Sequence, residues 1–355
     1  MKVLVLGGTG AIGMYLVHLL ANDGVETIVT SRKQRAAEEN INYIQGNAHD
    51  MNFLQTILLE PWDAIVDFMS YTTQSFKERA DLLLDATSQY VFLSSSRVYA
   101  DSGTPIAEDS PRLLDISQDK VFLSTDEYSL AKARQENILR TSKRKNWTII
   151  RPYITYSEHR LQLGVLEKEE WLYRALQGRT IVFSSDINSK LTTLTYGLDV
   201  SKGIMAVIGN SKALGDTFHV TTNSSITWND ILGVYLGVFE KSLGQKPKVL
   251  MQDLQSFIKC SPRKYQIYYD RLFNRTFDNS KISRYLNTDD FTKVEVGLKK
   301  CLADFMVNPI FNDINWKLEA LKDRQAGEHT SLKEIQGIKQ KVKYLFFRYV
   351  VLSGK

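Results

Sequence analysis

Lys2-Val3-Leu4-Val5-Leu6-Gly7-Gly8-Thr9-Gly10-Ala11-Ile12-Gly13 is the stretch whose reading decides the fold. A short run of strand-forming residues feeds glycines at 7, 10 and 13, and an apolar helical pattern follows at Met14, Leu16, Val17, Leu19 and Leu20. Strand, glycine turn and helix in that order make a phosphate cradle. Gly7 lets the strand turn sharply, Gly10 lets a pyrophosphate approach the backbone, and Gly13 lets the helix lie close to the strand. The helix start adds N–H donors and the positive end of its dipole. A dinucleotide is the expected ligand, contacted along Gly7, Thr9, Gly10, Ala11, Ile12 and Gly13.

Outward from this turn the chain alternates. Strands are predicted at 2–6, 26–30, 42–45, 64–68, 90–94 and 147–151, and helices after Gly13, around 53–59, across 75–87 and from 126 to about 143. Repeated βα units with nearly continuous apolar strands predict an α/β fold, a Rossmann-type doubly wound parallel sheet with helices on both faces. Ligands of such sheets sit at the carboxyl ends of the strands. Residues 1–155 are therefore read as the dinucleotide-binding domain, its sheet completed by pieces of 180–225. Residues 156–308, with helical patterns at 167–176 and 228–243 and strand patterns at 180–183 and 217–220, are read as a smaller substrate-binding region.

Residues 309–355 form a basic helical extension. Its end, 332–355, interleaves Lys333, Lys339, Lys341, Lys343, Arg348 and Lys355 with Ile335, Ile338, Val342, Leu345 and Phe346. Packing on the body or on another subunit is the favoured reading of this segment; an amphipathic helix on an anionic membrane or a partner is the other.

The bulk figures agree with a globular protein: 355 residues, 43% hydrophobic, 24% charged, net charge +5. No run approaches the roughly 18–20 apolar residues that span a bilayer. No secretory leader is expected, because the first apolar run passes straight into the glycine turn. Cys260 and Cys301 are far apart without metal-like spacing, so reduced thiols, a cytoplasmic location and no metal are expected. The mild positive charge suits nucleotides and does not argue for nucleic acid.

Two places carry the chemistry. The second βα turn reads Thr30-Ser31-Arg32-Lys33, without the acid that usually accepts from the ribose hydroxyls of NAD. Ser31 and Arg32 suit a 2′-phosphate, so NADP is preferred and NAD remains possible. Further on, Tyr128 and Lys132 stand four apart on one helix face, after a strand ending Ser94-Ser95-Ser96. The ammonium would draw the phenol pKa down from about 10. Tyr128 then exchanges a proton with an alcohol or carbonyl, while a serine hydroxyl orients the same oxygen.

With these marks together, the chain resembles an extended short-chain dehydrogenase/reductase of the NAD-dependent epimerase/dehydratase group, whose typical substrates are nucleotide sugars. The resemblance rests on the glycine turn, Ser94-Ser95-Ser96-Arg97-Val98-Tyr99, Tyr128/Lys132 and Arg151-Pro152. It continues through residues 194–200, 277–281 and 294–298, so it covers 1 to about 306. It implies a homodimer, Ser95 as the hydroxyl partner of Tyr128, and Lys132 on the nicotinamide ribose. It also implies cofactor contacts from Asn47, Ala48, Phe68, Met69, Ser70, Tyr128 and Lys132, and substrate contacts from Ser96, Arg97, Tyr153, Tyr156, Arg160 and Arg275.

The departures from that pattern are informative. Ser96 and Arg97 replace the Asp-Glu pair of sugar 4,6-dehydratases, which disfavours dehydration. Ser124-Thr125-Asp126-Glu127 imitates that motif but reads as a helix start, capped by Ser124 or Thr125. Asp67-Phe68-Met69 stands where His-x-Ala is common, and Asn47 stands for the usual Asp at the adenine edge. The expected activity is hydride transfer at a secondary alcohol or ketone of a nucleotide sugar, as a 4-epimerase or 4-ketoreductase. The competing expectation is a non-catalytic nucleotide-sensing or RNA-binding relative that keeps the fold.

Overall fold

The computed structural model describes residues 1–350; 351–355, the tip of the basic segment, lie outside the described residues. Six strands stand where the alternation placed them: β1 (Lys2–Leu6), β2 (Glu26–Ser31), β3 (Ile41–Gln45), β4 (Trp62–Asp67), β5 (Thr87–Leu93) and β6 (Trp147–Pro152). Asp216–Val220 adds the seventh, and the spatial order is Asp216–Val220, β6, β5, β4, β1, β2, β3. Every neighbouring pair is parallel. The winding reverses between β1 and β4, which puts a ligand crevice at the carboxyl end of β1.

The period of two along each strand builds the two cores. Val3 and Val5 join Val29, Val66 and Val91 on one face, covered by Leu16, Val17 and Leu20 of α1 (Gly13–Asn22) and by Val200 and Ile204. Leu4 and Leu6 join Ile28, Ile65, Tyr90 and Phe92 on the other, covered by Leu54, Phe76, Leu83 and Leu139. One element differs from expectation. The helix predicted over 75–87 is two short helices, Thr73–Lys77 and Ala80–Asp85, and Thr87 already belongs to β5. Arg79 interrupts the run: its buried guanidinium donates to the Ser75 carbonyl and lies 4.5 Å from the Tyr71 ring.

The chain divides into two compact units. The first comprises 1–157, 193–225 and 275–294, with the sheet at its heart; the second comprises 158–192, 226–274 and the described residues from 295 on. Of the pieces expected to complete the sheet, Asp216–Val220 does so. The strand predicted at 180–183 does not: as Ile181–Ser184 it pairs with Val249–Gln252 in the second unit.

The segment from 309 is no separate extension. Helix Trp316–Ala326 brings Glu319 and Asp323 onto Arg174 of helix Lys168–Leu176, at 2.8 and 2.7 Å, and all three are buried. Lys322, also buried, donates to Glu319 and to the Glu170 carbonyl. Charges so enclosed persist only when paired, and this mutual pairing holds the segment in the unit. Cys260 and Cys301 are free and buried, and burial pushes the Cys260 thiol up to about 11. Among the described residues no helix is long and apolar enough to cross a membrane.

Candidate active site

The glycine turn has the shape its sequence requires. Gly7 adopts φ +73°, and a Cβ there would also stand 2.8 Å from the Met69 sulfur. At Gly13 a Cβ would meet the Gly8 backbone at 2.7 Å, so the helix packs against the turn with no room for a side chain. Around Gly10 nothing lies within 4 Å of such an atom, leaving the backbone open to a ligand. α1 has Ile12 at its N-cap, with no side-chain cap and no acid in its first turn, so its positive end is not neutralised from within. These residues fit a dinucleotide pyrophosphate. The neighbouring 194–200 motif explains itself here: a Cβ at Gly197 would collide with the Ala11 carbonyl, and Ser201 donates to the Ile12 carbonyl at 2.8 Å.

At the end of β2, Thr30 accepts from the Gly7 N–H at 3.1 Å, tying this strand to the turn. The Ser31 hydroxyl donates to the Lys33 carbonyl and accepts from the Lys33 N–H. It thereby shapes the loop in which Arg32 is exposed. Asn47 is exposed and accepts from the His49 N–H, while Ala48 is buried. Phe68 donates its N–H to the Leu6 carbonyl, and Phe68 and Met69 are half-buried beside exposed Ser70.

The three serines after β5 separate into distinct roles. Ser94 donates to Glu136 at 2.6 Å and Ser96 donates to the Arg151 carbonyl at 2.8 Å, both buried. The Ser96 hydroxyl is thus turned into the protein, against the expectation that it faces substrate. Ser95 accepts from the Arg97 N–H at 3.2 Å. Arg97 in turn pairs with Glu127 at 2.6 Å and lies 5.2 Å from the Tyr128 ring. Ser95 thus meets the backbone of Arg97, while the guanidinium of the same residue lies beside Tyr128. Tyr128, 40% exposed, opens helix Tyr128–Thr141. The cap is Glu127, accepting from the Ser129 N–H and hydroxyl; Ser124 and Thr125, expected in that role, donate instead to the Val121 and Phe122 carbonyls.

One turn along, Lys132 is 3% exposed, donates to the Leu93 carbonyl at 2.6 Å and lies 4.5 Å from the Phe92 ring. Burial lowers its pKa to about 8, against the opposing pull of Asp67 and Glu136. Its ammonium is lost as pH rises through that value, so kcat/KM should fall above about pH 8, and Lys132→Arg should move that limb upward; a pH–rate profile checks this. Stability runs the other way. The unfolded lysine keeps its proton to about 10.5, so between about 8 and 10.5 the folded state binds fewer protons and gains stability with pH.

Two carboxylates organise this region: Asp67, noted in the sequence only as a departure from His-x-Ala, and Glu136, to which the sequence reading gave no role. Asp67 ends β4, fully buried, accepting from Tyr90 at 2.7 Å, Tyr71 at 3.1 Å and the Met69 N–H at 2.8 Å; burial raises its pKa. Glu136 is one further turn beyond Lys132. Burial works to raise its pKa, but Arg151 at 2.6 Å, Ser94 and Arg112 at 3.1 Å hold it below the usual carboxylate value. The four-residue spacing Tyr128, Lys132, Glu136 was the available signal. The Arg151-Pro152 mark is thus a brace that joins β6 to helix Tyr128–Thr141.

The remaining expected substrate residues are not gathered at one place. Arg275 is fully buried and donates to the Ala100 and Tyr99 carbonyls at 2.7 and 3.0 Å, so it braces the Ser94–Tyr99 segment and is withdrawn from any diphosphate. Tyr156 is enclosed, stacked on Tyr196 at 5.5 Å, and Tyr153 is buried against Phe277. Arg160 belongs to the second unit, half-exposed beside Glu167 at 3.6 Å.

A parallel sheet wound both ways from β1, a glycine turn at its switch point and a Tyr–Lys pair on the helix before β6 define a dinucleotide-binding protein of short-chain dehydrogenase architecture. Residues 3–220 match the NAD-dependent epimerase/dehydratase family, and the chain belongs to it. The chloroplast stem-loop binding protein of 41 kDa b of Arabidopsis thaliana is 25% identical over 248 residues, covering 65% of this chain and 61% of the relative. The match thus spans less than two thirds of that relative's own length.

Among solved structures, the epimerase Mth375 of Methanothermobacter thermautotrophicus superposes with a TM-score of 0.68 at 18% identity, over 86% of this chain and 92% of that one. UDP-glucuronic acid 4-epimerase of Bacillus cereus, in complex with NAD, gives 0.65 at 14% identity, over 87% and 98%. At these identities the likeness is one of fold.

Proposed function

We propose that the chain is an NAD(P)-dependent oxidoreductase acting on a nucleotide sugar by hydride transfer at a secondary alcohol or ketone, as a 4-epimerase or 4-ketoreductase. What supports this reading is the Tyr128–Lys132 pair, four apart on helix Tyr128–Thr141, with Lys132 donating to the Leu93 carbonyl at the end of β5 and Ser95 two residues beyond it. In this reading Gly7, Thr9, Gly10, Ala11, Ile12 and Gly13 hold the pyrophosphate. Ser31 and Arg32 meet the adenosine ribose, Asn47 and Ala48 the adenine, and Phe68, Met69, Ser70 and Lys132 the nicotinamide half. The bound dinucleotide supplies the hydride acceptor and donor. Tyr128 Oη moves the proton at the sugar oxygen, Ser95 orients that oxygen, and Lys132 favours the phenolate. Arg97, beside Tyr128, is the remaining substrate-facing candidate. Dehydration stays disfavoured, because no carboxylate pair follows Ser95.

The test is a screen of UDP-, GDP-, dTDP- and CDP-sugars. Interconversion of C4 epimers without net cofactor change supports the epimerase; oxidation of added NADPH by a 4-keto sugar nucleotide supports the reductase. Arg32→Asp should weaken NADP and favour NAD, shifting the ratio of their Kd values by about 10–100-fold, the worth of a charge-assisted hydrogen bond; fluorescence titration measures it.

A second reading is favoured by one observation, the stem-loop binding named for the Arabidopsis relative. RNA stem-loop binding with no turnover on any sugar nucleotide would establish it. A non-catalytic binder has no use for a phenol placed one turn from a buried ammonium, which favours the enzyme.

A further inference from the structure

The last helix, Ile338–Tyr349, has no part in the proposed reaction, and it has two unlike faces. One face is fastened to the second unit. Tyr344 is buried, donates to Asp323 and accepts from the Thr330 N–H, both at 2.7 Å. Phe347 packs against the cluster of Trp316, Ala320 and Ile335, with Lys317 4.7 Å from its ring, and Arg348 donates to the Glu328 carbonyl. The other face carries Ile338, Val342, Leu345, Phe346 and Tyr349, all exposed, Ile338 to 81% and Tyr349 to 61%.

Those five positions fall on one stripe of a helix with about 3.6 residues per turn. Lys339 and Lys343 border the stripe on one side and Lys341 on the other, and the helix contains no acid. We propose that this face docks on an anionic lipid bilayer. A convex apolar ridge with long cations on both flanks suits a planar surface: the ridge enters the boundary between headgroups and acyl chains, while the flanking stems spread outward to meet anionic headgroups. A second copy of the same face is a poor occupant. It would set Lys339, Lys341 and Lys343 against their own counterparts, with no carboxylate on the helix to offset them.

Vesicle flotation of the full chain tests the proposal, using phosphatidylcholine vesicles with and without phosphatidylglycerol. The protein should float with the anionic vesicles at least about tenfold more than with the neutral ones, and about 1 M salt, where the Debye length is ~3 Å, should release it. Val342→Glu with Phe346→Glu, and separately Lys339→Glu with Lys343→Glu, should each reduce binding by about tenfold or more. All four positions are exposed, and circular dichroism confirms that both variants fold. Absence of flotation, or equal flotation with neutral vesicles, overturns the proposal. So does a dimer in sedimentation velocity that Phe346→Glu dissolves, which would make the face a contact between copies. Retention on an acidic protein without flotation likewise overturns it.

Discussion

Replacing Tyr128 with Phe is expected to lower kcat by about 10²–10⁴-fold on any nucleotide sugar the protein turns over, the usual worth of a positioned general acid–base group. The substitution removes one hydroxyl and keeps the ring beside Arg97, with Glu127 still holding that guanidinium. Helix Tyr128–Thr141 keeps its cap, because the cap is the Glu127 side chain. Dinucleotide affinity should therefore change far less in a fluorescence titration than steady-state turnover, which collapses. Unchanged turnover would remove Tyr128 from the mechanism and transfer weight to the stem-loop binding reading.

The second large effect concerns stability. Arg174 is fully buried and pairs with Glu319, Asp323 and Glu328. Burial alone would lower its pKa, but the two buried carboxylates raise it above the usual arginine value. Arg174→Met strands those carboxylates in the interior, and removing one partner of a buried pair costs about 3–5 kcal/mol. The urea midpoint should drop accordingly. Adding Asp323→Asn to the same chain should recover part of the loss, since Lys322 still balances Glu319 and the uncompensated charge at Asp323 is then gone. A midpoint that Arg174→Met leaves in place would mean that the cluster is spectator polarity and that helix Trp316–Ala326 is held by its apolar contacts alone.

Local patterns carried most of the fold. The alternation of Val3, Leu4, Val5 and Leu6 announced a strand covered on both faces, and the glycine spacing announced the turn, because both are dictated by neighbours in the chain. What depended on distant partners was illegible. Arg275 has the chemistry of a diphosphate clamp, and no local feature of its surroundings reveals that the Tyr99 and Ala100 carbonyls enclose it. Arg79 sits in an otherwise helical run, and its inward turn, which splits that run, depends on partners such as Tyr71 in three dimensions.

At the site the same division holds. The Tyr128–Lys132 spacing was readable as one helix face. That Ser94 and Ser96 are engaged elsewhere, leaving Ser95 beside Arg97, required the positions of Glu136 and the Arg151 carbonyl. Glu136 itself was within reach, four residues past Lys132, but an acid on a helix is ordinarily solvated, and only the depth of Arg151 gives it meaning.

The two units are threaded through one another along the chain, which crosses from one to the other after 157, 192, 225, 274 and 294. Neither is a contiguous stretch of gene. During synthesis the sheet waits for its edge strand until residue 220 has been made, and the Tyr99–Ala100 segment waits for Arg275. Meanwhile 158–192 has already been made, well before 226–274 and the residues from 295 that complete its unit. Domains ordinarily fold in order of emergence; here each must remain unfinished while the other is begun. A chimera that exchanges the second unit for that of a relative would therefore have to replace three separate segments together, and a truncation before residue 294 would leave both units incomplete.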